Sequence, residues 1–346
     1  MRVLLLLFVF AGSCIVVSAS EPTEVRTWTS TGGQTVEAQA ARVDGNYVVL
    51  SIEGGRMVKI LMTKLVAGDR ELLRKHFRIG EVQGSGDPQA TGLPYPLGEV
   101  SGPIQTPEGS NYLLYIPNSL KKGRKVALLF YTHSGGGSPK LLKDIAEGAE
   151  LCSWIMAISV ESKNNTQPGE NLRHSKNCVK HILDTLPVDG ERVYFMGNSG
   201  GGATAFSNAA HIEAAGVMSN VAYVPTGVDP KANDFFIIGG GKDFNGYHAA
   251  AARRRFGDKA VHRMHPGGHG VSPAWLMIDG MFWFEGRYLA RERATYSGEA
   301  KDFDASMVQW LKTKQQDQPY RAYATARFLM DEYRMVGAGK AAVRQL

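Results

Sequence analysis

Gly197-Asn198-Ser199-Gly200-Gly201 narrows the folds open to this chain more than any other stretch. This Gly-x-Ser-x-Gly pentapeptide follows the apolar run Val193-Tyr194-Phe195-Met196. It precedes the segment 202–210, whose small residues read as a helix. Strand, sharp turn and helix together are the context of a nucleophile elbow, which presents a serine on a strained turn. A serine held at such an angle brings its flanking residues too close for Cβ atoms, so positions 197 and 201 call for glycine. The helix behind Ser199 would aim free N–H groups and the positive end of its dipole at the serine. The plain alternative is a glycine-rich turn that merely packs tightly. The residues downstream decide between the two.

Two rival glycine motifs overlap this spot. Gly200-Gly201-Gly202-Ala203-Thr204-Ala205 fits the dinucleotide pattern G-x-G-x-x-A, which needs an acidic residue about 20 positions on to hold a ribose. The next apolar run, Ala215-Gly216-Val217-Met218, leads instead into Ser219 and Asn220. A phosphate loop needs Gly-Lys-Ser/Thr, and no lysine stands here. A nucleotide cofactor is not indicated.

A serine hydroxyl is a poor nucleophile until a base takes its proton. On a sheet of this kind the partners follow in the order serine, acid, histidine. Phe235–Ile238 reads as a short buried strand, and Asp243 lies in the loop beyond its C-terminal end, 44 residues after Ser199. The run Ala260–Met264 reads as the next strand and leads into His265-Pro266-Gly267-Gly268-His269-Gly270. His269, flanked by glycines, suits a loop that swings an imidazole over the serine. Open α/β sheets collect their functional groups at the carboxyl ends of the strands. By that rule Asp234, which opens its strand, stands at the wrong edge. Asp229 and Asp258 lie in polar connections. His265 ends its strand just before a proline and is the fallback for His269, while His248 reads as a helix or pocket histidine. The expected set is Ser199, Asp243 and His269.

An oxyanion site is the fourth part. The apolar run Lys125–Thr132 ends in His133-Ser134-Gly135-Gly136-Gly137. A loop of this type after such a strand offers backbone N–H groups to a developing oxyanion, with the N–H after the nucleophile as second donor. The donors expected are Gly200 and either Ser134 or Gly135, and the sequence leaves open which.

Residues from about Leu97 to Leu289 resemble the α/β-hydrolase superfamily, in particular its secreted esterase and polyhydroxybutyrate-depolymerase-like branch. The resemblance rests on His133-Ser134-Gly135-Gly136-Gly137, Gly197-Asn198-Ser199-Gly200-Gly201, Gly240-Gly241-Lys242-Asp243 and Pro266-Gly267-Gly268-His269-Gly270. It implies serine ester hydrolysis without metal or cofactor, on acetyl or feruloyl esters of polysaccharides or on short-chain polyesters. A serine peptidase of the same fold and a non-catalytic envelope-polymer-binding protein remain the alternatives.

Arg2, the apolar run 3–10 and Val17-Ser18-Ala19 compose a cleavable signal peptide over 1–19, so the mature chain is expected to be secreted or periplasmic. No other stretch is long and apolar enough to span a bilayer. Beyond the leader, Cys152 and Cys178 form an even pair that fits either one disulfide or two buried thiols. Cys152 is placed at the start of the strand candidate 154–160 and Cys178 on the following helix. Residues 24–77 hold short β-rich runs separated by Asp44-Gly45-Asn46 and Glu53-Gly54-Gly55 turns. Four or five such strands predict a small barrel. Arg26-Thr27-Trp28-Thr29, Thr35-Val36-Glu37-Ala38 and Lys64-Leu65 resemble the SH3-like homology domain first described in a yeast endocytic adaptor. A spacer or a cell-envelope attachment module is the role expected of it. Residues 79–96 read as linker, 97–290 as the α/β-hydrolase domain, and 291–346 as a C-terminal helical extension. The net charge of +6 is scattered, and Arg253-Arg254-Arg255 reads as a solvated helix face. Without basic and aromatic residues interleaved, no nucleic-acid partner is expected. The fold class predicted is α/β: a doubly wound, mostly parallel sheet preceded by a small SH3-like β-barrel, acting on an ester substrate, soluble or polymer-borne.

Overall fold

A computed structural model describes residues 22–44, 47–61, 64–76, 92–167 and 169–345. The chain divides into two units at residues 83/84. The expected leader and residues 79–91 of the expected linker lie outside the described residues.

In the first unit, β1 (Arg26–Thr29), β2 (Thr35–Asp44), β3 (Tyr47–Ile52) and β4 (Met57–Leu61) form an antiparallel sheet in sequence order. Two-residue alternation puts Trp28, Ala38, Ala40, Val48 and Leu50 on one buried face. Leu65 and Leu73, the latter from α1 (Ala67–His76), close that face. Asp69 of α1 accepts from the Thr29 N–H at 2.7 Å and from Arg26 at 3.0 Å, which pins the helix to β1. Among the described residues the expected barrel is not seen: the sheet is open, with no ladder joining β1 to β4. The end of β1 instead meets residues 64–66 through a Ser30–Leu65 bridge and the Val66-to-Thr29 backbone bond.

The second unit is built on eight strands: β5 (Val100–Gln105), β6 (Asn111–Tyr115), β7 (Val126–His133), β8 (Ile155–Ser159), β9 (Val188–Asn198), β10 (Gly216–Asn220), β11 (Asp234–Gly240) and β12 (Ala260–His265). They lie in the order β12-β11-β10-β9-β7-β8-β6-β5, and only β6 runs against its neighbours. The central strands are buried along almost their whole length, as parallel strands covered on both faces must be. Alternation assigns Leu129, Tyr131 and Met196 to one core layer and Leu128, Phe130 and Phe195 to the other.

Against the first layer pack α2 (Pro139–Asp144), α3 (Ala146–Cys152), α7 (Ala274–Arg291), α8 (Ser297–Asp317), α9 (Pro319–Asp331) and α10 (Gly337–Gln345). Against the second pack α4 (Glu170–Thr185), α5 (Gly200–His211) and α6 (Gly246–Phe256). This is the doubly wound, mixed sheet with helices that an α/β-hydrolase requires. The last three helices are no appendage. Met307, Trp310, Leu311 and Leu329 are buried in the same core as the sheet. At about 1.5–3 kcal/mol per fully buried large apolar side chain, they bind α8 and α9 firmly to it. At the other end of the unit, Leu93 and Tyr95 pack on the second layer, so the expected linker gives way to the folded unit before residue 96.

Cys152 closes α3 rather than opening a strand, and both cysteines are free thiols. The sheet explains why: Cys152 belongs to one core layer and Cys178 to the other. Chain order reverses between β7 and β9. From β7 the chain crosses by α2 and α3 to β8 on one side, and β9 then takes the other side of β7. The loops after β7 and β9 therefore face each other across a switch point, where crevices open in α/β sheets.

Candidate active site

β9 ends at Asn198 and α5 begins at Gly200, which leaves Ser199 alone on the turn at φ 54° and ψ −123°. Such backbone costs a non-glycine residue about 1–3 kcal/mol and persists only where its surroundings fix it. Here the Ser199 N–H donates to the Asn220 carbonyl at 2.9 Å, and the Ser199 carbonyl accepts from Gly202 at 2.9 Å. A Cβ on Gly197 would stand 2.1 Å from the Gly201 carbonyl oxygen, and one on Gly201 would stand 2.2 Å from that of Thr132. Close approach of backbone is thus the reason for both glycines.

The Ser199 Oγ lies 2.8 Å from His269 Nε2, and His269 Nδ1 lies 2.8 Å from Asp243 Oδ1. A carboxylate only accepts, so Nδ1 carries the proton and Nε2 is left to accept from the serine. Asp243 also takes the Asn245 N–H at 3.0 Å, while its Oδ2 is buried without a partner. The loops bearing the acid and the histidine are zipped together beyond β11 and β12. The Gly241 N–H donates to the His265 carbonyl at 2.7 Å and the Lys242 N–H to that of Gly267 at 2.9 Å. Phe244, 72% exposed, stacks on the His269 ring at 4.3 Å between centroids.

The competing residues stand elsewhere. His265 is buried, and its Nδ1 accepts from the Gly267 N–H at 3.1 Å, so it shapes the turn. His248 packs against Tyr223 and Tyr247. Asp234 sits at the opposite end of β11 and bonds Arg287 and Arg291.

The loop after β7 separates the two amides that the sequence left open. The Gly135 N–H donates to His133 Nδ1 at 3.0 Å, and the Gly136 N–H to the His133 carbonyl at 3.1 Å. Of the pair, Gly135 is thereby committed, which leaves the Ser134 N–H as the candidate donor. Burial lowers the His133 pKa, which favours the neutral ring that this hydrogen bond needs. The loop is stapled from β8's side, where the Asn164 N–H donates to the Ser134 carbonyl at 2.8 Å and Lys163 bridges Gly135.

Beside Gly200 opens a cleft of about 390 Å³, lined with Asn164, Gln167, Thr204, Ser207 and Tyr223. Its lining mixes these amides and hydroxyls with Leu172, Ala203 and Pro225, and the Asn164 side chain lies against Gly200. Among the described residues no group of three or more His, Cys, Asp or Glu is arranged to hold a metal ion. Sequence reasoning missed Asn164, Asn220 and Phe244. An exposed aromatic beside Asp243 and two asparagines in ordinary positions carry no local signal, because their roles come from distant segments.

No protein-family model matches this chain, and no curated protein matches its sequence. Among solved structures it is similar to an arylesterase, at 12% identity and a TM-score of 0.45 over 64% of this chain and 98% of that one. It is also similar to the S-formylglutathione hydrolase FrmB of Staphylococcus aureus, at 13% identity and a TM-score of 0.43 over 51% and 92% of the two chains. A third is esterase B of Lactobacillus rhamnosis, at 13% identity and a TM-score of 0.43 over 56% and 88%. These structural neighbours are ester hydrolases.

Proposed function

We propose that the protein is an exported serine hydrolase that cleaves carboxylic esters through an acyl-enzyme. One observation carries the reading: Ser199, His269 and Asp243 form an unbroken hydrogen-bond chain on the carboxyl edge of the sheet, beside the switch point. Ser199 Oγ attacks the ester carbonyl carbon as His269 Nε2 takes the hydroxyl proton. The Asp243 carboxylate holds the ring in that tautomer and stabilises the imidazolium. Charge developing on the carbonyl oxygen is met by the N–H groups of Gly200 and Ser134. The tetrahedral intermediate then expels the alcohol, which leaves with the proton from His269. Water repeats the sequence and frees the acid.

The amides and hydroxyls in the cleft beside Gly200 offer hydrogen bonds to an ester with a hydroxyl-rich alcohol, such as an acetylated or feruloylated polysaccharide. The N-terminal unit serves as spacer or attachment module, and residues 1–19 as a leader removed on export. Among the described residues no helix is long and apolar enough to cross a membrane.

Purified mature protein is expected to hydrolyse p-nitrophenyl acetate or butyrate. Ser199→Ala should lower kcat by about 10⁴-fold or more while the circular dichroism spectrum stays that of the parent. Parent turnover no better than that of the variant would overturn the reading in favour of a polymer-binding protein. Comparing acetylated xylan, a feruloyl ester and a short-chain polyester then assigns the substrate.

A further inference from the structure

We infer that Asn220 is a positioning residue that fixes the spacing between Ser199 and His269; the inference rests on the ester-hydrolase reading above. Asn220 is the last residue of β10, the strand between β9, which leads to Ser199, and β11, which leads to Asp243. It is fully buried. Its main-chain carbonyl accepts the Ser199 N–H at 2.9 Å. Its side-chain Nδ2 donates to Asn198 Oδ1 and to the Gly270 carbonyl at 3.3 Å, and its Oδ1 accepts from the Ser272 hydroxyl. Asn198 adjoins Ser199 in the chain, and Gly270 adjoins His269. One planar amide therefore grips the chain beside each of the two reacting side chains.

The residue type follows from the bonding. Both amide hydrogens are used and the amide oxygen accepts from Ser272, so both ends of the side chain are engaged. A carboxylate there would face the Gly270 carbonyl with no proton to give. A hydroxyl would be too short and offers a single donor. Asn198 occupies the variable place of the Gly-x-Ser-x-Gly turn, which gives that place a purpose in this chain. A second feature points the same way. Val221, next along, holds φ 46°, a backbone region that a β-branched residue rarely enters. Its N–H is tied to the Ile238 carbonyl at 2.9 Å. That tight turn ends β10 where the Asn220 carbonyl meets the serine turn.

The test uses the mature full chain, with active sites counted by a fluorophosphonate titrant so that unfolded molecules do not enter kcat. With p-nitrophenyl butyrate, Asn220→Ala should lower kcat per titrated site by about 10- to 100-fold, the scale of a misplacement near 1 Å, and leave KM within about twofold. Ser272→Ala, which removes one of the ties, should cause a smaller loss in the same direction. In the Asn220→Ala background the Ser272 substitution should add almost nothing, because both act through one connection. Should Asn220→Ala fail to fold, Asn198→Ala and Ser272→Ala, singly and together, carry the same test. Values of kcat per site within twofold of the parent in these variants would overturn the inference, as would a loss that appears in KM alone. Failure of the hydrolase reading looks different: the parent itself would turn over no faster than Ser199→Ala.

Discussion

Asp234 and Asp243 flank the same strand, both carboxylates fully shielded from solvent, and their surroundings could hardly differ more. Asp234, at the amino end of β11, meets Arg287 at 2.6 Å and Arg291 at 2.7 Å, so each oxygen faces a permanent cation. Asp243, beyond the carboxyl end, meets a histidine and one backbone N–H, and one oxygen stays unpartnered. The amino edge holds a second buried ion pair. Arg192 pairs with Glu285 in full burial, and Trp154 donates to the same carboxylate at 2.8 Å. Burial works against the Arg192 charge there, and the Glu285 carboxylate overrides it to raise the pKa. A cavity of about 1020 Å³ also opens at that edge, larger than the cleft by Gly200. It is lined by both signs of charge, Arg124 and Lys125 with Asp189 and Glu191. Size therefore does not mark the site. A charge fixed on all sides holds a fold together, whereas a charge facing a group that can change protonation is equipped for chemistry.

The sharpest way to break this contrast is to neutralise each aspartate in turn. Asp243→Asn should lower kcat on the order of 10⁴-fold by stabilising the wrong histidine tautomer, with little change in melting temperature. Asp234→Asn should do the reverse. Well below its melting point it keeps the parent kcat, and in urea it loses about 1–3 kcal/mol. That is less than the 3–5 kcal/mol of a wholly buried pair, because the stranded arginines are partly exposed. If the substitution at 234 costs kcat and that at 243 does not, the two edges have been misjudged.

A smaller effect sharpens the picture at the oxyanion loop. His133→Phe removes the acceptor for the Gly135 N–H but no oxyanion donor. It should lower kcat/KM about tenfold, short of the 10²–10³ of a lost donor. The same histidine carries a pH signature. Its folded pKa is depressed by burial, so its contribution to stability is complete above the unfolded value of about 6.5 and is lost as pH falls through the folded one. Thermal melts from pH 7.5 to 5 should therefore converge for parent and His133→Phe at the acid end. Smallest of all is the effect of removing residues 1–91, which should leave small-ester kinetics within about twofold, since every site residue lies beyond them. A truncated chain that folds but is inactive would show that the first unit takes part in the site.

What the sequence determined by itself was local and periodic. The serine turn was legible because backbone contact excludes Cβ atoms at Gly197 and Gly201, a constraint carried within five residues. The parallel strands were legible because burial on both faces demands unbroken apolar runs. Asp243 could be separated from Asp234 by which end of the strand each occupies, and His269 was favoured over His265 because glycines flank it whereas His265 ends its strand just before a proline. Tertiary structure decided the rest. It spent the Gly135 amide on His133, arranged the described residues of the first unit as a four-stranded antiparallel sheet, put the two cysteines in opposite core layers and drew the C-terminal helices into the main core. It also made Asn220 the link between Asn198 and Gly270, residues 72 positions apart in the chain. Buried polar groups must find partners wherever the fold brings them, and a sequence names the groups without saying which of them will meet.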